Sequence, residues 1–148
     1  MIINQLTLEE VDKHKRSIVS MLRQSFIKSF PDEKNDINSF EQRIESLKRY
    51  LNNDKAIILG IIDREKLMGF IWFFEKEDYS IHVNHFVVDE KYRGLGIGRA
   101  LWNKVEEYAN KRQISEIELF VTKENEAALN FYTNREFKVE RLVMKKRL

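Results

Sequence analysis

Three glycines at alternate positions mark the stretch of this sequence best suited to holding a ligand: Arg93-Gly94-Leu95-Gly96-Ile97-Gly98-Arg99. Lacking side chains, they let the backbone approach a ligand closely and aim successive N–H groups at it. The apolar run Phe86-Val87-Val88 just upstream predicts a strand, and the residues after Gly98 have helical spacing. The loop therefore sits at a helix N-terminus, where unpaired N–H groups and the positive dipole end favour an anion. Arg93 and Arg99 flank it, placed to give charge-assisted hydrogen bonds to a pyrophosphate. The alternative is a tight turn with no ligand. A dinucleotide fingerprint, G-x-G-x-x-G/A, fails, because its last place falls on Arg99 or Leu101. A P-loop fails too, for want of Gly-Lys-Ser/Thr. Upstream, His82 and His85 lie three apart in one apolar run, so they face opposite ways unless a bulge intervenes. With no third ligand evident, zinc is not expected and no metal is invoked. Cysteine is absent, which removes disulfides, thiolate metal sites and a cysteine nucleophile together.

The elements that must position these residues follow from the hydrophobic pattern. A short strand is predicted over residues 2–6, then a capping box at Thr7-Leu8-Glu9-Glu10. Val11, Ile18, Leu22 and Phe26 continue at helical spacing until Pro31, which predicts one helix. Residues 31–38 are polar and predict a loop. Ser39 looks like the next cap, with Phe40, Ile44, Leu47 and Leu51 on one stripe and a stop at Asn52-Asn53-Asp54. Residues 56–62 and 67–74 are β-branched or aromatic runs around a charged turn, a hairpin signal, and 79–88 is a third run. On that third strand His82 shares parity with Asn84, Phe86 and Val88. A helix carries Leu101, Val105, Tyr108 and Ala109, and a strand is predicted over 116–121. Thr122 is placed to cap a last helix to about Arg135, and 137–148 reads as a terminal strand. The expected order is β-α-α-β-β-β-α-β-α-β in one domain, 1–148: an α/β (α+β) mixed sheet with helices on both faces.

At this point two motifs resemble a family. Arg93-Gly94-Leu95-Gly96-Ile97-Gly98 is similar to the R/Q-x-x-G-x-G/A signature of the GNAT superfamily of N-acetyltransferases. Asn125-Glu126-Ala127-Ala128-Leu129-Asn130-Phe131-Tyr132 is similar to its N-x-x-A-x-x-F-Y helix, one helix and one strand further on. The resemblance runs from about Leu67 onward and is only topological before that. It implies the GNAT acyl-CoA N-acyltransferase fold and acetyl-CoA as co-substrate. It further implies that the backbone of Phe86, Val87 and Val88 binds the pantetheine arm like an added strand. Arg93, Gly94, Leu95, Gly96, Ile97, Gly98 and Arg99 would cradle the pyrophosphate, and Asn125 and Ala128 would line the other side. Tyr132 would protonate the leaving thiolate, for which a phenol with pKa near 10 suits a thiol of about 8.5. His82 aligns with a position that often carries the base for the incoming amine.

Three departures from the family pattern matter. Glu136 stands where a helix-closing glycine is usual, so a different local turn is expected. Glu90 replaces a common proline. The segment 137–148 is short for the final hairpin of many relatives, which leaves an open substrate side or a strand shared in a homodimer.

Composition narrows the function further. Lys and Arg number 26 against 24 Asp and Glu, too even a balance for a broad nucleic-acid face. No signal-like start or bilayer-length apolar run is present, so a cytoplasmic protein without membrane contact is expected. The leading expectation is an enzyme acetylating a primary amine by direct attack. The alternative is a non-catalytic acyl-CoA sensor or partner-binding domain on the same fold. Asp32, Glu33, Asp36 and Glu77 could draw a cationic acceptor, although a solvated acidic loop is the preferred reading of them.

Overall fold

The computed structural model describes residues 2–33, 37–53 and 56–148. After β1 (Ile2–Gln5), α1 (Leu8–Lys13) opens on the expected capping box: Thr7 Oγ1 accepts from Glu10 N at 3.2 Å, and Glu10 Oε2 accepts from Thr7 N at 2.8 Å. The one helix predicted up to Pro31 is two, because the backbone leaves helical geometry at His14 (φ −100°, ψ 13°) before α2 (Lys15–Ser29). No proline or glycine marks the break; His14 is buried there, so tertiary packing sets the kink. Next, α3 (Ile37–Asn52) begins two residues before the expected cap at Ser39, so the predicted loop ends early. Residues 34–36 of that loop, Asp36 among them, and Asp54 of the expected stop lie outside the described residues.

The hairpin of β2 (Ile57–Asp63) and β3 (Lys66–Glu75) closes through Arg64 and Glu65, both left-handed (φ 47° and 64°). Positive φ at both central residues gives the turn the twist that adjoining strands require. β4 (Ser80–Val88) runs antiparallel to β3, and α4 (Ile97–Lys111) then crosses to β5 (Glu116–Leu119), parallel to β4. The sheet order is β1-β2-β3-β4-β5. Val11, Ile18, Leu22, Phe40, Ile44 and Leu47 of the first three helices cover Ile58, Phe70, Trp72 and Val87 on one face. Leu101, Trp102 and Val105 of α4 cover Ile71, Phe73, Ile81 and Val83 on the other. The mixed sheet with helices on both faces is as expected. Among the described residues no helix is long and apolar enough to cross a membrane.

Three local expectations give way. Trp72 pairs with His85 but Phe73 pairs with Val83, so Asn84 is an extra residue, a β-bulge. The bulge reverses the simple alternation: His82, opposite Phe74, shares the face of His85 and Trp72, not that of Phe86. Asn125, not Thr122, caps α5 (Glu126–Thr133); its Oδ1 accepts from Ala128 N at 3.3 Å. Thr122 Oγ1 is instead buried with no hydrogen-bond partner among the described residues. Finally, β5 stops at Leu119, and no terminal strand forms over 137–148, which is exposed from residue 138 on.

Candidate active site

β5 stays beside β4 only from Ser80 to Val83, opposite Glu116 to Leu119. Beyond the bulge the two strands part, so residues 84–88 of β4 have no ladder partner on that side among the described residues. Unpaired strand edges offer N–H and C=O groups to any extended ligand. Into this gap opens a cleft of about 330 Å³. Phe86, Val87 and Val88 form one wall, and Asn125, Ala127, Ala128, Phe131 and Tyr132 of α5 and its cap form the other. Arg93, Gly94, Gly96, Ile97, Gly98 and Arg99 lie at its base. A larger groove beside α3, with Lys15, Glu41, Glu45 and Arg49, is polar, open and remote from the glycine loop.

The glycines are there for two distinct reasons. Gly94 and Gly96 have φ of 79° and 80°, the left-handed region that costs other residues about 1–2 kcal/mol. A Cβ on either would meet nothing within 4 Å, so this backbone borders open space where a ligand can approach. Gly98 is needed for packing: a Cβ there would lie 3.3 Å from Phe86 Cζ, against β4. Gly96 is also the N-cap of α4, with no side chain capping the helix, so the first N–H groups stay available to an anion.

The charge around the loop suits the same ligand. Lys28 of α2 lines the cleft with Arg93 and Arg99, and among the described residues none of the three forms an ion pair. Partial burial, then the nearby Arg93 charge, lowers the Lys28 pKa from its ordinary value. Sequence reasoning did not name Ser25, Lys28, Tyr92, Ala127 or Phe131 among the cofactor-binding residues, yet all five line the cleft. Lys28 and Ser25 arrive by the docking of α2, some sixty residues upstream of the loop, which no local pattern announces. Asn125 Nδ2 donates to Ser29 Oγ at 3.4 Å, tying α2 to the cap of α5. Of the predicted loop residues, Leu95 is exposed and does not line the cleft.

Tyr132 packs against Trp102, Phe137 and Phe86, with ring centroids 5.8, 5.5 and 6.4 Å away. Burial pushes its hydroxyl pKa well above the ordinary phenol value. His82 sits outside the cleft lining, at the end of β4 where β5 is still paired. Its Nδ1 lies 2.9 Å from Glu118 Oε1, which also accepts from Lys76 Nζ at 3.0 Å, and its ring meets Phe74 and Phe120. Hydrogen bonds from Lys76 and then His82 keep the Glu118 carboxyl below its usual pKa, so it is ionised at neutral pH. His85 packs against Trp72 with tilted rings, centroids 5.1 Å apart; burial, and secondarily the Arg43 charge, holds its pKa down to about 4. Among the described residues no group of three or more acidic or histidine side chains could hold a metal ion.

Known proteins show the same architecture. A tetramutant of a Bacillus halodurans protein superposes with a TM-score of 0.81 at 22% identity, covering 100% of both chains. PaiA N-acetyltransferase from Thermoplasma acidophilum, solved in complex with coenzyme A, superposes with a TM-score of 0.72 at 22% identity, over 95% of this chain and 92% of that one. At such identities the likeness speaks for the fold. In sequence, an uncharacterised N-acetyltransferase of Methanocaldococcus jannaschii is 37% identical over 84 residues, 53% of this chain and 37% of that protein. The chain spans about half or less of the curated relatives it matches. The acetyltransferase (GNAT) family model matches residues 16–137, most of the chain, and the chain belongs to that family.

Proposed function

We propose that this chain transfers an acetyl group from acetyl-CoA to a primary amine by direct attack in a ternary complex. The observation that carries this reading is the cleft itself, a β4 edge without a ladder partner among the described residues, leading to a left-handed glycine turn beside Lys28, Arg93 and Arg99. Backbone at 86–88 would bind the pantetheine arm, Asn125 and Ala128 would flank it, and the loop with Lys28, Arg93 and Arg99 would hold the pyrophosphate. Acetyl-CoA supplies the activated acyl group as a thioester. Tyr132, at the opposite wall, keeps its proton at neutral pH and gives it to the departing sulfur.

The incoming amine must lose a proton, since an alkylamine with pKa about 10.4 is mostly charged at pH 7. His82 is assigned this role. Glu118 bonds its Nδ1, and an Nδ1–H donated to that carboxylate leaves Nε2 to accept a proton, directly or through water. Its place lies four residues from Phe86 along β4, roughly 13 Å at 3.3 Å per residue, which favours relay through water. No cysteine is present in this sequence to carry an acyl-cysteine intermediate, in keeping with the proposed direct attack.

Free-thiol release from acetyl-CoA, followed across polyamines, aminoglycosides, amino acids and peptides, tests the proposal. Turnover with an amine is expected; saturable acetyl-CoA binding without turnover on the whole panel would refute it in favour of the sensor reading.

A further inference from the structure

Arg43 of α3 is a half-buried charge that no carboxylate meets among the described residues. Lys15, Lys48, Lys76 and Arg135, the other half-buried Lys and Arg side chains among those residues, each pair with an acid. On its own helix the neighbours three and four places away are Ser39, Phe40, Ser46 and Leu47, so no local acid is in reach. The guanidinium lies over the Phe40 ring, 5.6 Å from its centroid, which offsets only part of the cost of leaving water. Its planar fork of donors matches a carboxylate.

The place of this charge along β4 gives it a function. His85 feels it, is neutral at pH 7 and supplies no countercharge. His85 directly precedes Phe86, the first of the three residues proposed to hold the pantetheine arm, while the glycine loop lies at the other end of that stretch. Arg43 therefore stands beyond the thioester end of the cleft, on the acceptor side. Further along the same face His82 Nδ1 lies 2.9 Å from Glu118 Oε1. His85 pairs with Trp72 and His82 with Phe74, so the two histidines are set apart by two positions of β3, roughly 7 Å at 3.3 Å per residue. A cation thus marks one end of this face and a carboxylate-backed base the other, with the rings of Trp72 and Phe74 beside the histidines.

We infer that the acceptor is a free amino acid, its carboxylate held by Arg43 while its amine is presented to His82. This rests on the acetyl-transfer reading of the cleft and adds to it the chemical class of the acceptor. A polyamine or an aminoglycoside carries no anion and would set a second positive charge against Arg43. In a peptide the carboxylate next to the N-terminal amine is an uncharged amide, which leaves the guanidinium without a countercharge. An amino acid carries both charges within the span that the face offers.

A binding measurement reads Arg43 without relying on turnover. Each of the twenty protein amino acids, and each matching carboxamide, is titrated calorimetrically into the protein saturated with coenzyme A. At least one amino acid should bind about tenfold or more tightly than its carboxamide. Arg43→Gln should abolish that preference with unchanged circular dichroism and coenzyme A affinity, and Arg43→Lys should keep part of it. Thiol release from acetyl-CoA with the same pairs should show the preference again in kcat/KM. A carboxamide's amine, with pKa about 8 like that of a peptide N-terminus, is the more easily deprotonated, so a preference for the acid cannot come from amine basicity. No binding by any of the twenty, equal binding of acid and carboxamide, or a preference that survives Arg43→Gln would overturn the inference. Thiol release with polyamines or aminoglycosides alone would overturn it too, leaving acetyl transfer intact. Amino-acid binding that requires Arg43, with no thiol release from any acceptor, would instead refute the transfer reading and uphold Arg43 as the carboxylate site.

Discussion

Burial of the Tyr132 ring among Trp102, Phe86 and Phe137 raises its hydroxyl pKa further, and the same setting lets its proposed role be separated from its packing. Tyr132→Phe retains the ring and removes only the hydroxyl. Turnover should fall by about 10²-fold or more, the usual range for a lost general acid. Acetyl-CoA affinity by calorimetry should stay within a few-fold, and a large loss there would contradict the division of labour. His82→Ala should cost at least about tenfold in rate near pH 7 and far less at pH 9, where more of the amine is already neutral. A pH–rate profile parallel to that of the unaltered protein would remove His82 from the mechanism. At this scale the sequence is most informative where residue type alone constrains the answer. A glycine triplet and a tyrosine beside a phenylalanine can be read directly. Which way His82 faces cannot, because one inserted residue at Asn84 reverses parity for every position upstream of it.

Helix ends decide how the site residues are held. α5 closes with Phe137 N–H donating to Tyr132 O at 3.1 Å and Glu136 N–H to Thr133 O at 3.1 Å, with the Phe137 and Tyr132 rings in contact. This is a Schellman closure, whose penultimate residue is left-handed and usually glycine. Glu136 occupies that place at φ 68°. The turn expected to differ is therefore kept, and the chain tolerates the strain. Glu136→Gly should raise stability by about 1 kcal/mol, read as a higher denaturant midpoint with unchanged slope; destabilisation would show that the Glu136 side chain matters more than its backbone. The loop gives the opposite case. Gly96→Val places a β-branched residue at φ 80° with its side chain in the space left for a ligand. Acetyl-CoA affinity should drop at least about tenfold while the circular dichroism spectrum stays native, and normal binding would contradict the cradle. Element types were legible because hydrophobic periods of 2 and 3.6 are written locally. The break at His14, the exchange of Thr122 for Asn125 as cap, and the missing terminal strand were not, since each depends on what the element packs against.

Across the whole molecule, the two helical layers are secured to the sheet by different means. α4 adds polar ties to its apolar face, as Tyr108 and Arg112 both bind Glu75 of β3. On the opposite face α3 meets a histidine: His85 packs against Trp72 and feels the Arg43 charge, and its pKa is held down to about 4. A histidine neutral in the fold and charged in the unfolded chain binds more protons unfolded, so acid favours unfolding. The sign is fixed by the depressed value: this contribution is intact above about pH 6.5. It diminishes as pH falls from there to about 4 and is constant below. Its full size is on the order of 3 kcal/mol, a large share of the stability of a domain this small. His85→Phe keeps a ring against Trp72 and removes the proton site. Urea melts between pH 7 and pH 4 should show the native chain losing stability by roughly that amount, beyond the loss shared with the variant. Equal slopes for the two proteins across that window would mean that His85 can charge without leaving its place, and that the α3 layer is looser than its packing indicates.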